Sequence, residues 1–536
     1  MGINIGRKGK YHAVFNKIFA YLPVNPRVRE IYFSLKSREV KRGYSIGPKV
    51  LVECVEDPFY LCLFFFLINN IKSKSDCQIE LFVPQSLNAA VGTSLKDWVR
   101  RLPPVSRLLS NQWVRVWSII SKNIAYRNSS ILFSARDIKA AFVTWSTWRN
   151  LKSASDVEDI VINGIQCGDL IIDTYLRFRP SPYLTIRDFF LFVVIWQAHR
   201  EVFRAEKYFR GNNVALYIAT YTTYISHGIA ARVAQQFKVS LISFGNFQDF
   251  GKFHGPRDIF QTRNAKNYAE QFALLSDGGG MLMRAKALLE ARLTGKTDSA
   301  TSYMQSSAYV KVTDEIPNVA GAVVIFLHDF YDSPHIYGEM IFSDFWEWVC
   351  FTIEVLNKEG IRCFIKPHPN QVGISDGVVK QLINKFPGIK VISPGITNRQ
   401  LVDADIACAV TVYGTVAHEI AYMGVPVISC ASHPHISFNF CRTARKKSEY
   451  AELLKASLSF DFDKEKMKIE VLQFYAMHNL NFSEDHIDFR EKILSLWKNI
   501  QIKTASTEML IESFESLAIH PHFNVLVNRL VNRVCC

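Results

Sequence analysis

Lys366-Pro367-His368-Pro369 is followed about 45 residues later by Tyr413-Gly414-Thr415-Val416-Ala417-His418-Glu419. The first segment joins a cation to an imidazole, and its two prolines fix the backbone where an apolar run ends. An imidazole held there can donate to a phosphate oxygen and, once protonated, offset the charge of a departing phosphate. In the second segment, Gly414 lets the backbone approach a ligand. Thr415 suits the cap of a helix whose N–H groups would face an anion. Glu419 lies one turn further in, where an acid can bind ribose hydroxyls as in dinucleotide sites. A lone His-Pro would be an ordinary turn, and a lone capped helix an ordinary surface helix. Together, at neighbouring strand ends, the two segments imply a ligand with a phosphate at one end and vicinal hydroxyls at the other, which describes a nucleotide sugar.

Other chemistry-bearing residues lie on further turns. His328-Asp329-Phe330-Tyr331-Asp332-Ser333-Pro334-His335 follows an apolar run. Its two histidines are seven residues apart across a proline, which suits a loop lining a cleft better than a metal site. His433-Pro434-His435 reads the same way, so no metal is expected. In the amino-terminal half, Gly168-Asp169 opens a helical pattern with Asp173 and Arg177 at intervals of four. That spacing fits an Asp173–Arg177 pair on a helix surface, but Asp169 or Asp173 could equally supply a base or nucleophile. His227, with Tyr224 and Arg232, forms a second candidate edge, and Glu53 and Asp57 follow the first strand.

The elements that must position these residues alternate. Strands are expected at 50–55, 78–83, 130–134, 215–218 and 240–244, with helices at 58–71, 98–120 and 225–237, the signature of βαβ units and a parallel sheet. A helical stretch at 262–293 and a polar one at 294–320 interrupt the pattern. A second series then has strands at 323–327, 362–366, 390–393, 406–411 and 425–430, with helices at 342–358, 375–385, 398–402 and 415–423. Helix continues past 450. The expected domains are a basic arm (1–49), a first Rossmann-like domain (50–293), a connection (294–320), a second Rossmann-like domain (321–450) and a helical tail (451–536).

With 536 residues, 49% of them hydrophobic, the chain exceeds one ordinary core. Its eleven cysteines lack CxxC spacing and many sit in apolar runs, so they read as buried, reduced thiols of a cytoplasmic protein. No cleavable leader is evident, and the ten apolar residues 59–68 are about half of a membrane span. Of the net charge of +14, the first fifty residues carry eleven Lys/Arg against Glu30 and Glu39. Such an arm favours an anionic partner, and with no nucleic-acid-reading motif a membrane leaflet or polyanionic glycan is favoured. Phe523, Leu526, Val527, Leu530, Val531 and Val534 form a helical stripe opposite Arg529 and Arg533. That stripe suits either an interfacial helix or packing onto the protein's own domains.

The block from His328 through Lys366-Pro367-His368-Pro369 to Gly414-Thr415, Glu419 and Gly424-Val425-Pro426-Val427 resembles bacterial capsule-polysaccharide glycosyltransferases. It is similar to the polysialyltransferase and Kdo-transferase groups and to teichoic-acid glycerophosphotransferases, over about 110 residues. The resemblance implies an α/β GT-B-like fold: two doubly wound parallel-sheet domains facing a cleft, with a helical carboxy-terminal tail. It implies a metal-independent, cofactor-free transferase of capsule or lipopolysaccharide-type glycan synthesis, using a nucleotide-sugar donor and a glycan or lipid-linked glycan acceptor. The implied setting is cytoplasmic and peripheral at the inner face of the membrane. The resemblance puts His368 at the donor phosphate and Glu419 at the ribose, and the reading of the residues themselves adds Lys366, Gly414, Thr415 and His328 to the donor site. The reacting group of the other domain stays open among Asp169, Asp173 and His227. A nucleotide-sugar epimerase of the same fold, or a glycerophosphotransferase of teichoic-acid type, is the alternative.

Overall fold

The computed structural model describes residues 26–39, 47–84, 112–127, 135–179, 181–246, 248–263, 267–296, 315–368, 371, 373, 375–501 and 506–535. Pro369, the expected strand at 130–134, most of the expected helix at 98–120, and arm residues 1–25 and 40–46 lie outside them.

The first domain runs α1 (Pro26–Lys36), β1 (Lys49–Glu53), α2 (Pro58–Lys74), β2 (Gln78–Val83), β3 (Ile124–Arg127), α3 (Ala135–Asn150) and α4 (Ala154–Glu158). A hairpin of β4 (Val161–Ile162) and β5 (Ile165–Gln166) leads to α5 (Gly168–Phe178), α6 (Phe189–Gly211) and β6 (Val214–Ala219). A π-helical turn (Tyr224–Gly228), α7 (Ile229–Gln236), β7 (Ser240–Ser243) and β8 (Lys252–His254) complete it. Six strands pair in the order β3-β2-β1-β6-β7-β8, all parallel except the edge pair β7–β8. The apolar run at 59–68 is buried throughout in α2, whose start is capped by Asp57 accepting the Phe59 N–H.

The second domain begins earlier than expected. Helices α8 (Tyr268–Ala273) and α9 (Gly278–Leu293) put Tyr268, Ala285 and Leu289 into its core, not into that of the first domain. Gly278-Gly279-Gly280 opens α9, capped by Asp277. Then follow β9 (Val323–Phe326), α10 (Phe345–Lys358), β10 (Cys363–Lys366), α11 (Ser375–Lys385), β11 (Lys390–Val391), α12 (Asn398–Asp403), β12 (Cys408–Val410), α13 (Val416–Tyr422), β13 (Val427–Ser429) and β14 (Cys441–Thr443). The strand order is β11-β10-β9-β12-β13-β14, every pair parallel. Strands buried on both faces read as continuous apolar runs, as in Val323–Phe326. Counted within each sheet, both orders are 3-2-1-4-5-6, the doubly wound Rossmann order. The fold is α/β, two such domains in tandem, as the GT-B-like expectation holds.

The helical tail divides between the domains. α14 (Lys447–Lys455) and α15 (Lys464–Tyr475) pack on the second. α16 (Glu484–Gln501), α17 (Thr507–Ala518) and α18 (Pro521–Cys535) return to the first, where Leu510, Phe514, Phe523, Leu526, Val527, Leu530 and Val534 share one apolar cluster with α2. The stripe at 523–534 therefore faces the protein itself and is not an interfacial face. α1 joins the same cluster through Val28, Ile31 and Leu35, so part of the basic arm belongs to the first domain. Among the described residues nine cysteines are unpaired and buried, and Cys535 is exposed. Among the described residues, no helix is long and apolar enough to cross a membrane.

Candidate functional site

In the second domain the site forms where β9, β10 and β12 end, the carboxyl edge at which open α/β sheets bind ligands. His328 follows β9, Lys366 closes β10, and Thr411 follows β12. His328 Nε2 lies 3.1 Å from Thr411 Oγ1 and accepts the Val412 N–H at 3.3 Å. That assigns its ring proton to Nδ1. The ring stacks on Phe345 at 4.9 Å and 8°. Burial, with His368 nearby, pushes its pKa down to about 3, so His328 is neutral.

Lys366 is buried, with Nζ 3.4 Å from the Pro394 carbonyl. Burial lowers its pKa to about 8 against the pull of Glu419. Burial also lowers His368, and Lys366 adds to that, while Asp329 and Glu419 oppose it. A phosphate arriving here would raise both groups and be held by them. The Asp329 carboxylate accepts the Ser375 hydroxyl at 2.9 Å and the Tyr331 N–H at 3.1 Å, fixing the turn after β9.

Two features of the Gly414–Glu419 segment differ from expectation. Thr415 has helical dihedrals and makes no side-chain cap; Thr411 Oγ1 instead accepts the Gly414 N–H at 3.4 Å. Glu419 is buried, with Oε1 accepting from Arg292 Nε at 3.0 Å and Nη2 at 2.5 Å, and Oε2 from Asn398 at 3.0 Å. A ribose hydroxyl would have to share that carboxylate with Arg292. Neither Arg292, at the end of α9, nor Asn398 stands out in sequence, since both act only through tertiary contact.

The helix at 168–178 exists, but its charges do not pair along its surface. Asp169 forms a two-pronged pair with Arg232 of α7, at 2.7 and 2.5 Å. Burial alone would raise its pKa, but the guanidinium holds it below the usual carboxylate range. Asp173 crosses to the second domain and bonds His335 Nδ1 at 2.7 Å, both groups buried. Burial would depress His335, yet the Asp173 carboxylate holds it up at about 9, an imidazolium–carboxylate clasp. Arg177 donates to the Tyr331 carbonyl at 3.1 Å, and Asp344 accepts the Leu184 N–H at 3.1 Å. The 328–335 loop is thus a strap between domains, and among the described residues no cluster suits a metal.

A different pair occupies the first domain's edge. Glu53 ends β1 fully buried; its Oε2 accepts the Thr220 N–H at 2.6 Å and the Thr220 hydroxyl, and its Oε1 meets His227 Nδ1 at 2.8 Å. His227 sits half-buried in the π-turn, which begins at Tyr224 with φ 59°. A tyrosine in the left-handed region costs about 1–3 kcal/mol, the kind of strain found where function fixes a backbone. Gly228 is required there: a Cβ would come within 2.6 Å of Leu170 and of the Thr222 carbonyl. A carboxylate bonded to Nδ1–H leaves Nε2 as an acceptor, the arrangement of an oriented base. The turn itself lies beside the strap, with Tyr224 of the first domain close to Asp332 and Ser333 of the second. The carboxyl edges of the two sheets therefore approach each other around 328–344. Of the sequence candidates, the second-domain edge gathers His328, Lys366, His368, Gly414, Thr415 and Glu419. His227 stands at the first-domain edge, and Asp169 and Asp173 serve in ion pairs.

No family model matches the chain, and no curated protein matches its sequence. Among solved structures it is similar to a Thermosulfurimonas dismutans KpsC, described as a beta Kdo 2,4 transferase, with 11% identity over 50% of this chain and 79% of that one and a TM-score of 0.29. A Thermobaculum terrenum O-GlcNAc transferase mutant shares 10% identity over 92% of this chain and 75% of that one, TM-score 0.26. A Methanocaldococcus jannaschii UDP-GlcNAc 2-epimerase shares 9% over 78% and 97%, TM-score 0.24. Glycosyltransferases and nucleotide-sugar epimerases are thus both among the neighbours. At these values the fold stands on its own strand order.

Proposed function

We propose that the protein is a glycosyltransferase that moves a sugar from a nucleotide-sugar donor to a growing capsule or lipopolysaccharide-type glycan. The observation that carries this reading is the Glu53–His227 pair at one sheet edge, opposite the Lys366–His368 edge of the other domain. In this reading Lys366 and His368 hold the donor phosphates and take up the charge that develops on the departing nucleotide. His227 Nε2 accepts the proton of the acceptor hydroxyl as its oxygen bonds to the sugar's anomeric carbon, and Glu53 steadies the imidazolium that results. The electron pair of the broken sugar–phosphate bond leaves with the nucleotide. In this reading the turn at Gly414 before α13 lies beside the nucleotide, and Glu419 reaches its ribose only by sharing Arg292.

Incubation with CMP-, UDP-, GDP- and CDP-linked sugars, scoring nucleotide release with and without glycan acceptor, tests the reading. Acceptor-dependent release with one donor, lost in His227→Ala, supports it. Conversion of a donor to its epimer without an acceptor would replace it by an isomerase.

A further inference from the structure

Helices α3 and α6 pack antiparallel and carry a surface that the transferase chemistry does not use. On α3, Asp137, Ala140 and Thr144 are buried, Asp137 accepting from Arg200 and Arg204 of α6 at 2.8 and 3.0 Å. The opposite face exposes Ile138, Phe142 and Trp145 at 52%, 73% and 53%. These positions are i, i+4 and i+7, one helical face. Phe189, 70% exposed at the start of α6, stacks on Phe192, which contacts Trp145 and Trp148. Trp145, Trp148, Phe189 and Phe192 are thus linked ring to ring, with Phe142 within a turn of Trp145 on the same face.

The exposed charge of α3 itself has a single sign. α3 exposes Arg136, Lys139 and Arg149 and no carboxylate, its one acid being the buried Asp137. Towards the other end of the pair, Arg136, Arg200, Arg204 and Lys207 line a recess of about 360 Å³ with Tyr126, Phe203 and Asp137, whose one carboxylate is outnumbered by the four cations. Arg200 also lies over Trp196, 4.8 Å from the ring. Aromatics that insert at the headgroup level, bordered by cations that meet lipid phosphates, are what an interfacial surface requires.

We propose that the α3–α6 face docks the first domain on an anionic membrane leaflet, with Phe142, Trp145 and Phe189 entering the interface and the basic recess taking a lipid phosphate. The transferase reading supplies the reason for such docking, a lipid-linked acceptor, but the surface stands on its own geometry. α18 takes no part, since its apolar stripe is buried.

Sedimentation of the full chain with vesicles of phosphatidylcholine containing phosphatidylglycerol, or of phosphatidylcholine alone, at low and high salt, tests this without any substrate. Wild type should bind the anionic vesicles and release with salt. The double variant Phe142→Ser/Trp145→Ser should lose binding by about tenfold or more. Arg136→Ala/Lys139→Ala should lose about 25-fold at low salt, about fivefold per charge. All four residues are exposed, so thermal melting should not move. Wild type left in the supernatant with every vesicle overturns the proposal. So does binding that both variants keep, which would place attachment on another basic segment. Light scattering that shows a dimer dissociated by the aromatic variant would also overturn it, making the face an interface between chains.

Discussion

Replacing Glu53 by glutamine separates orientation from mere presence of the imidazole. In the wild type, Oε2 takes two hydrogen bonds from Thr220 and Oε1 meets His227 Nδ1. Glutamine keeps one carbonyl oxygen, which the Thr220 N–H will retain because that donor is buried. Its NH2 group then faces His227, whose Nδ1 must turn acceptor and whose proton moves to Nε2. Fold stability should fall by only about 1–2 kcal/mol, the scale of a charge-assisted bond reduced to a neutral one. The rate should fall by about 10³–10⁴, as expected for a base held in the wrong tautomer, or about 4–5 kcal/mol in barrier. Donor affinity should stay within about threefold, since Lys366 and His368 lie on the other domain. Nucleotide release at saturating donor gives the rate, and nitrogen shifts of the His227 ring report the tautomer independently of any substrate. An enzyme that changes tautomer but keeps its rate would refute the role of His227 as base. An unchanged tautomer would refute the orientation argument itself.

Three further outcomes follow from the ion pairs and buried imidazoles. Asp173→Ala leaves the His335 charge buried without its partner and should cost about 3–5 kcal/mol, read as urea sensitivity and faster proteolysis between the domains. Since His335 is held up at about 9 in the fold, its contribution is full below its unfolded value of about 6.5 and fades as pH rises through about 9. Proteolysis of wild type at pH 7 and 10 should show the looser strap only at the higher pH. Burial depresses His433, His435 and His478, with His435 at about 3. Their stabilising effect is therefore present above about pH 6.5 and lost as pH falls. From pH 7 to 5 His435 costs about 2 kcal/mol, and His433 and His478 act in the same direction, opposed by about 1 kcal/mol from Asp344, which burial raises to about 6. The urea midpoint of the second domain should therefore be lower at pH 5 than at pH 7; equal midpoints would contradict burial of neutral rings. Arg292→Met should destabilise the same domain by about 3–5 kcal/mol, and Glu419→Gln should recover much of it. Donor titration of Glu419→Gln then shows whether that carboxylate also serves a ribose.

The second domain was legible because its strands are short, apolar on both faces and separated by helices of clear period, so that 323–326, 363–366 and 408–410 fall within the runs read from sequence. β14 escaped notice because Arg442 and Thr443 break its apolar character. The direction of side chains was harder to read. Spacing alone suggested an Asp173–Arg177 pair, but a fourfold interval is equally compatible with two residues reaching separate partners on another domain. The domain boundary near 263 was hidden because α9 is amphipathic in the ordinary way, and only packing reveals which sheet it covers. Glu53 gave little signal as the last residue of an apolar strand, where a lone acid more often marks the strand's end than a base's partner.

The return of α17 and α18 to the first domain sets an order of assembly during synthesis. About 450 residues separate the end of α2 from the start of α18, and at 5–20 residues per second the ribosome takes roughly 20–90 s to cross them. Through that interval Phe59, Phe66 and their neighbours lack Phe514, Leu526 and Leu530, the side chains that finally cover them. The second domain, whose core closes by residue 480, can be complete while the first waits for its last helices. A stop codon after residue 506 would therefore harm the half of the protein made first.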